Sequence, residues 1–178
     1  MARSVVLING LPGVGKTTLT HELAARTGWP ALSKDAIKEA LAAGSGAALT
    51  SAQLGAVAMD TVWSMAAGIA DVVLVDSWWF APRDLEHARA GVLVAGARTV
   101  LEVWCEADPA VVRRRYTERR RAEVHDDAHR LDDWDHWQSH ARPLALGPVI
   151  RVDTGGSVDP SDLADQITAL LAAGSEKA

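Results

Sequence analysis

Apolar positions along this chain fall into two alternating patterns. Continuous runs such as Val5-Val6-Leu7-Ile8 and Val72-Val73-Leu74-Val75 have the length and β-branched content of strands covered on both faces. Between the runs, apolar residues recur at helical spacing. Leu54, Ala58, Val62, Met65 and Ile69 follow one another at intervals of four, four, three and four, which predicts an inward stripe flanked by Met59 and Trp63. In chain order the pattern predicts a strand over 5–9, a helix over Lys16–Arg26 ended by Thr27-Gly28, and a short strand over 29–32. A helix over roughly 36–43 stops at Gly44-Ser45-Gly46, and a longer one begins at Thr50 or Ser51. A strand over 72–76 precedes a helix opened by Pro82 and capped by Gly96. After a strand over 99–105, Asp108 caps a helix with Pro109 in its first turn, running through the arginines of 113–121. The polar stretch 122–140 predicts a mobile flap, 148–153 a fifth strand, and Asp159-Pro160 a last helix with Leu163, Ile167, Leu170 and Leu171 facing inward. Five strands alternating with helices predict an α/β fold, a five-stranded parallel sheet with helices on both faces. One domain is expected over 1–174, its lid at about 119–140, with 175–178 as a frayed tail.

The loop after the first strand adds chemistry. Gly10-Leu11-Pro12-Gly13-Val14-Gly15-Lys16-Thr17 fits G-x-x-x-x-G-K-[ST] and stands between a predicted strand and a predicted helix, the context this phosphate-binding motif requires. Gly10, Pro12, Gly13, Val14, Gly15, Lys16, Thr17 and Thr18 are therefore expected to cradle a nucleoside triphosphate through backbone N–H groups. The helix N-terminus aims its positive end at the same oxygens. Lys16 is expected on the β- and γ-phosphates and Thr17 on Mg²⁺.

Composition narrows the class further. A net charge of −5 argues against a protein whose main business is coating nucleic acid. The single cysteine, Cys105, rules out an internal disulfide and, ending an apolar run, reads as a buried inert thiol. The chain enters its first strand at once, leaving no room for a signal peptide, and the apolar stretch 69–79 is broken by Asp71 and Asp76. A cytoplasmic protein that does not engage a membrane is expected, its oligomeric state left open. Asp76, ending the third strand, is the acid type that holds Mg²⁺ near phosphates. Ser77 stands where ATP-driven machines place a water-polarising Glu. Asn9 is the only asparagine, so an N-K-x-D guanine-recognition stretch is impossible.

The loop at Gly10–Thr18, the Ser33-Lys34-Asp35 junction, the Val72–Asp76 strand, the Arg115-x-x-x-Arg119 spacing and the closing Val152-Asp153-Thr154 resemble the small P-loop kinases. That group of P-loop NTPases includes polynucleotide 5′-kinases, chloramphenicol phosphotransferase and zeta-type toxins. The resemblance implies ATP and Mg²⁺ as cofactors, an arginine-bearing lid, and Asp35 facing an acceptor hydroxyl with Arg115 and Arg119 over ATP. The stretch 124–129 is more acidic than that pattern. Phosphoryl transfer to a small-molecule hydroxyl is the expected activity, on a natural product, nucleoside or sugar. A nucleotide or 5′-polynucleotide kinase is the alternative, and an ATP-binding switch without an acceptor the next.

Lys16, Asp35, Arg115 and Arg119 are the expected catalytic residues, although Asp35 also reads as a plain helix cap and an arginine run as a solvated face. Trp78, Trp79 and Arg83 are expected beside the acceptor, because they follow the carboxyl end of a central strand. Trp29 and Trp63 read as core, and Trp134 with Trp137 as packing of the flap onto the body. His125 and His129, four apart, read as a solvent-exposed hinge rather than a metal site.

Overall fold

The computed structural model describes residues 3–119, 122–125 and 131–175. Its strands are β1 (Ser4–Asn9), β2 (Ala31–Ser33), β3 (Val72–Asp76), β4 (Thr99–Glu106) and β5 (Val149–Asp153). They form one sheet in the order β2-β3-β1-β4-β5, with every pairing parallel. The helices are α1 (Lys16–Thr27), α2 (Lys34–Ser45), α3 (Ser51–Ala67), α4 (Ala81–Val94), α5 (Pro109–Glu118), α6 (Trp134–His140) and α7 (Pro160–Ser175). Among the described residues no helix is long and apolar enough to cross a membrane.

Strand periodicity explains the layers. Successive side chains point to opposite faces, so Val6 and Ile8 of β1 join one core while Val5 and Leu7 join the other. The first core takes Leu19 and Leu23 of α1, Val112 and Tyr116 of α5, and Leu163 and Ile167 of α7. The second takes Val62, Trp63 and Ala66 of α3 with Ala81 and Ala88 of α4. Trp134 and Trp137 are buried in the first core, so α6 packs onto the body as its tryptophans predicted. Trp29 is half-buried against the same core.

Several expectations are corrected. The helix expected over 36–43 begins at Lys34, because the Ser33 hydroxyl accepts from Ala36 N and caps it. The β2 strand is shifted to 31–33. Met65 is 48% exposed, not core. The buried stripe of α3 follows steps of four through Leu54, Ala58, Val62 and Ala66, and these drift round the helix away from Met65. Leu170 sits at the exposed rim of α7, whose buried line is Leu163, Ile167 and Leu171. The expectations for Arg120, Arg121 and His129 lie outside the described residues.

Candidate active site

The loop from β1 to α1 lies at the carboxyl ends of the central strands, where parallel α/β sheets bind ligands. Two of its glycines are required by shape. Gly10 has φ 142°, and a Cβ there would stand 2.4 Å from the Cys105 carbonyl oxygen; Gly13 has φ 86°, and a Cβ would meet the Val112 carbonyl oxygen at 2.9 Å. The loop therefore nests against the end of β4 and the body of α5. Pro12 and Val14 are buried beneath it, and the Val14 carbonyl accepts from the Thr154 hydroxyl at 2.5 Å. Thr18, the third residue of α1, is exposed. Cys105 is buried, and desolvation pushes its thiol up to about 12, so it stays protonated and inert.

Lys16 is 8% exposed, and its Nζ donates to the carbonyls of Gly10 (2.8 Å) and Leu11 (3.1 Å). Burial lowers its pKa, opposed chiefly by the charge of Asp76. The Thr17 hydroxyl donates to Asp76 Oδ2 at 2.7 Å. Burial raises the pKa of Asp76, opposed by Lys16 and by the Thr17 hydrogen bond. A carboxyl raised in the folded state binds more protons there than in the unfolded chain, so its ionisation destabilises the fold as pH rises. Asp76→Asn should therefore gain stability relative to the wild type as pH climbs from the ordinary carboxylate range through the raised pKa. Melting temperatures of both proteins between pH 4 and 8 check this; a gap that does not widen with pH contradicts it.

A cleft of about 1610 Å³ runs from this loop across to α2, α3 and α4. Asp35 borders it from the first turn of α2, with its side chain 53% exposed, and its charge acts on both Lys16 and Asp76. Ser33 supplies the cap that the plainer reading gave to Asp35. His125 is 2% exposed, which corrects the exposed hinge. Its Nε2 lies 2.7 Å from Glu39 Oε1 and its Nδ1 3.8 Å from Asp35 Oδ1, so 122–125 reaches two carboxylates one turn apart on α2. Those carboxylates explain how a histidine in a polar stretch becomes buried.

Arg115 and Arg119 both border the cleft, but not as one helical face. Helix α5 ends at Glu118, and Arg119 has extended backbone (φ −67°, ψ 140°). Arg119 lays its guanidinium over the Tyr116 ring at 4.1 Å, and Arg115 Nη1 donates to the Thr154 carbonyl at 3.2 Å. Trp78 is half-buried between Phe80 and Trp137, with ring centroids 5.8 and 6.4 Å away. Trp79 is 3% exposed and lies against Trp63 at 6.3 Å, so it backs the cleft from the core instead of standing as an open wall. Arg83 also borders the cleft, held bidentately by Asp84 through two contacts of 2.7 Å.

Two further residues support the site without having been anticipated. Glu102, fully buried in β4, accepts from Asn9 Nδ2 (2.9 Å), Leu144 N (3.1 Å) and Ala145 N (2.9 Å). Asn9 Oδ1 in turn accepts from Gly10 N (2.7 Å) and Trp79 N (3.1 Å). This strut ties the first loop glycine to the segment carrying Trp78 and Trp79. An acid alone in the apolar run 99–105 was the signal, since such a group must be hydrogen-bonded.

A parallel sheet with this glycine loop, Lys16 folded into it and Thr17 bonded to the acid ending β3 defines a P-loop nucleotide-binding protein with the fold of the small P-loop kinases. The AAA domain family profile matches residues 5–144, and the chain belongs to that family. Among solved structures, a candidate kinase from Chloroflexus aurantiacus j-10-fl is 27% identical, with a TM-score of 0.81 over 96% of this chain and 99% of its own. The APS kinase of Mycobacterium tuberculosis, solved with AMPPNP and APS, is 19% identical, with a TM-score of 0.58 over 96% of this chain and 99% of its own. The tunicamycin resistance protein of Deinococcus radiodurans is 18% identical, with a TM-score of 0.58 over 94% and 95%. The last two likenesses are of fold. No curated protein matches the sequence significantly.

Proposed function

We propose that this protein transfers the γ-phosphoryl group of ATP to a hydroxyl of a small molecule, working in the cytoplasm. The observation that carries the reading is that Lys16, Thr17, Asp76 and Asp35 border one cleft, with a phosphate cradle on one side and a carboxylate on the other. Phosphoryl transfer needs charge neutralisation and an acceptor held in line more than covalent help. Lys16 and the loop N–H groups hold the β- and γ-phosphates. Thr17 Oγ1 and Asp76 are hard oxygen donors already in contact, which fits Mg²⁺; they would hold it, and bound there it neutralises charge on the phosphates. Asp35 accepts the acceptor's O–H proton as that oxygen bonds to the γ-phosphorus and the bond to the β–γ bridging oxygen breaks, leaving ADP. Arg115 and Arg119 stand at the cleft where charge builds on the transferring group.

The APS kinase that shares this fold was solved in complex with both AMPPNP and APS, which supports a two-substrate cleft of this kind. Incubation with γ-labelled ATP, Mg²⁺ and a panel of natural-product alcohols, nucleosides, sugars and oligonucleotides should label a small-molecule alcohol. Label on oligonucleotide 5′ ends would replace this reading with a polynucleotide kinase. ATP binding with no label on any member would favour the switch.

A further inference from the structure

We propose that the acceptor is an alcohol with an extended apolar body that lies between α3 and α4, its hydroxyl end turned to Asp35; this rests on the kinase reading above. At about 1610 Å³ the cleft exceeds the roughly 300–1,000 Å³ of a single small-molecule site, so it has room for a nucleotide and a second sizeable molecule. Its two ends differ in chemistry. The nucleotide end is the glycine loop with Arg115 and Arg119. The far end is lined by Ala52, Gly55, Ala56 and Met59 of α3 and by Ala88 and Gly91 of α4, with the polar Asp60, Ser64 and His87 beside them.

Small side chains on both helices keep that end open, and Trp63 and Trp79, both almost wholly buried, back it from the core. A Cβ on Gly91 would fall 2.1 Å from the Trp63 ring, so the missing side chain lets the indole lie flat against the α4 backbone. The Trp63 and Trp79 rings lie 6.3 Å apart, tilted by 30°, and both border the cleft. Two cations at this end already have contacts: Asp84 holds Arg83 bidentately, and Lys38 Nζ donates to Ser51 Oγ at 2.7 Å. An anionic acceptor recognised by those two groups would have to break these contacts.

Independent support comes from two buried polar atoms on the cleft lining. Ser77 is 4% exposed, and its Oγ, like the buried Trp78 Nε1, has no hydrogen-bond partner among the described residues. Buried donors are costly when left unpaired, so both call for oxygen atoms on a bound molecule. Ser77 follows Asp76 directly, which puts those oxygens at the head of the acceptor, near the transferring phosphoryl group. The apolar body then extends away along α3 and α4.

The test is calorimetric titration of the full chain, saturated with Mg²⁺ and ADP, with ω-phenyl-1-alkanols of increasing length, alongside glycerol, glucose and adenosine. Affinity should rise about two- to fourfold per added methylene, the upper value being what about 0.8 kcal/mol per buried CH₂ corresponds to, and exceed that for glycerol at least tenfold. Gly55→Leu fills the groove. It should fold, because a Cβ at Gly55 meets nothing closer than Lys34 Nζ at 3.9 Å, and it should flatten the series while leaving ADP affinity within twofold. A flat series in the wild type, tighter binding of glucose or adenosine, or an unchanged slope in Gly55→Leu overturns the proposal. Failure to bind ADP at all overturns the kinase reading instead.

Discussion

With Lys16 replaced by methionine, ATP turnover falls about 10³-fold and the rise in melting temperature on adding ADP shrinks sharply. The expectation follows from where the ammonium sits. Its Nζ is held on the Gly10 and Leu11 carbonyls at the mouth of the glycine loop, 8% exposed, and burial lowers its pKa. Desolvation is only partly offset by the charge of Asp76, so Lys16 is a cation short of counter-charge. In the proposed reaction a triphosphate would supply that counter-charge, most strongly as negative charge accumulates on the transferring oxygens. Methionine keeps the length and apolar stem but cannot donate. Steady-state ADP release and an ADP thermal shift on the same preparations make the measurement. Turnover within tenfold of the wild type would remove Lys16 from the chemistry, and an unchanged ADP shift would remove it from binding.

How legible such a site is depends on whether its chemistry is local in the chain. The glycine loop is the local extreme. Strand, turn and helix follow within the span 4–27, so the whole motif is written there, although Thr17 meets its partner Asp76 only in the fold. The sheet was nearly as legible, because β1 and β3 are covered on both faces and read as unbroken apolar runs; their burial leaves no alternation to misread. Helix faces were less so. Met65 and Leu170 match a helical period, yet the period alone does not say how far round the helix the buried arc extends.

Residues whose partners lie far along the chain were the ones missed. His125 sits in a run of charged residues that looks solvated, yet it is buried, with Asp35 and Glu39 of α2 facing its two ring nitrogens. Glu102 and Asn9 are separated by 93 positions, and their hydrogen bond exists because β1 and β4 are neighbours with Asn9 opposite Trp104. Arg119 was placed one helical turn from Arg115. Helix α5 stops first, and a cation–π contact with Tyr116 sets the guanidinium instead.

Asp35→Asn should lower phosphoryl transfer by about 10²- to 10⁴-fold while leaving the affinity for ATP within twofold. Asparagine preserves size and hydrogen-bonding reach but cannot take the acceptor's proton. Ser33, not Asp35, caps α2, so the helix start survives the substitution, and Glu39 still holds the buried His125 at 2.7 Å when the more distant Asp35 charge is removed. Electrostatics agree with that role: the Asp35 charge acts on both Lys16 and Asp76, and the three residues border one cleft. A structural role makes a different forecast. Ser33→Ala, which removes the cap, should cost about 1 kcal/mol of stability and little turnover. If Asp35 merely supported α2, its asparagine variant would resemble Ser33→Ala, with a lowered melting temperature and near-normal kcat. Comparing melting temperature, ATP affinity and single-turnover rate in the two variants separates the roles. A fall in kcat for Asp35→Asn without a fall in stability makes the carboxylate the proton acceptor, whereas near-normal kcat leaves the cleft with a phosphate cradle and no base.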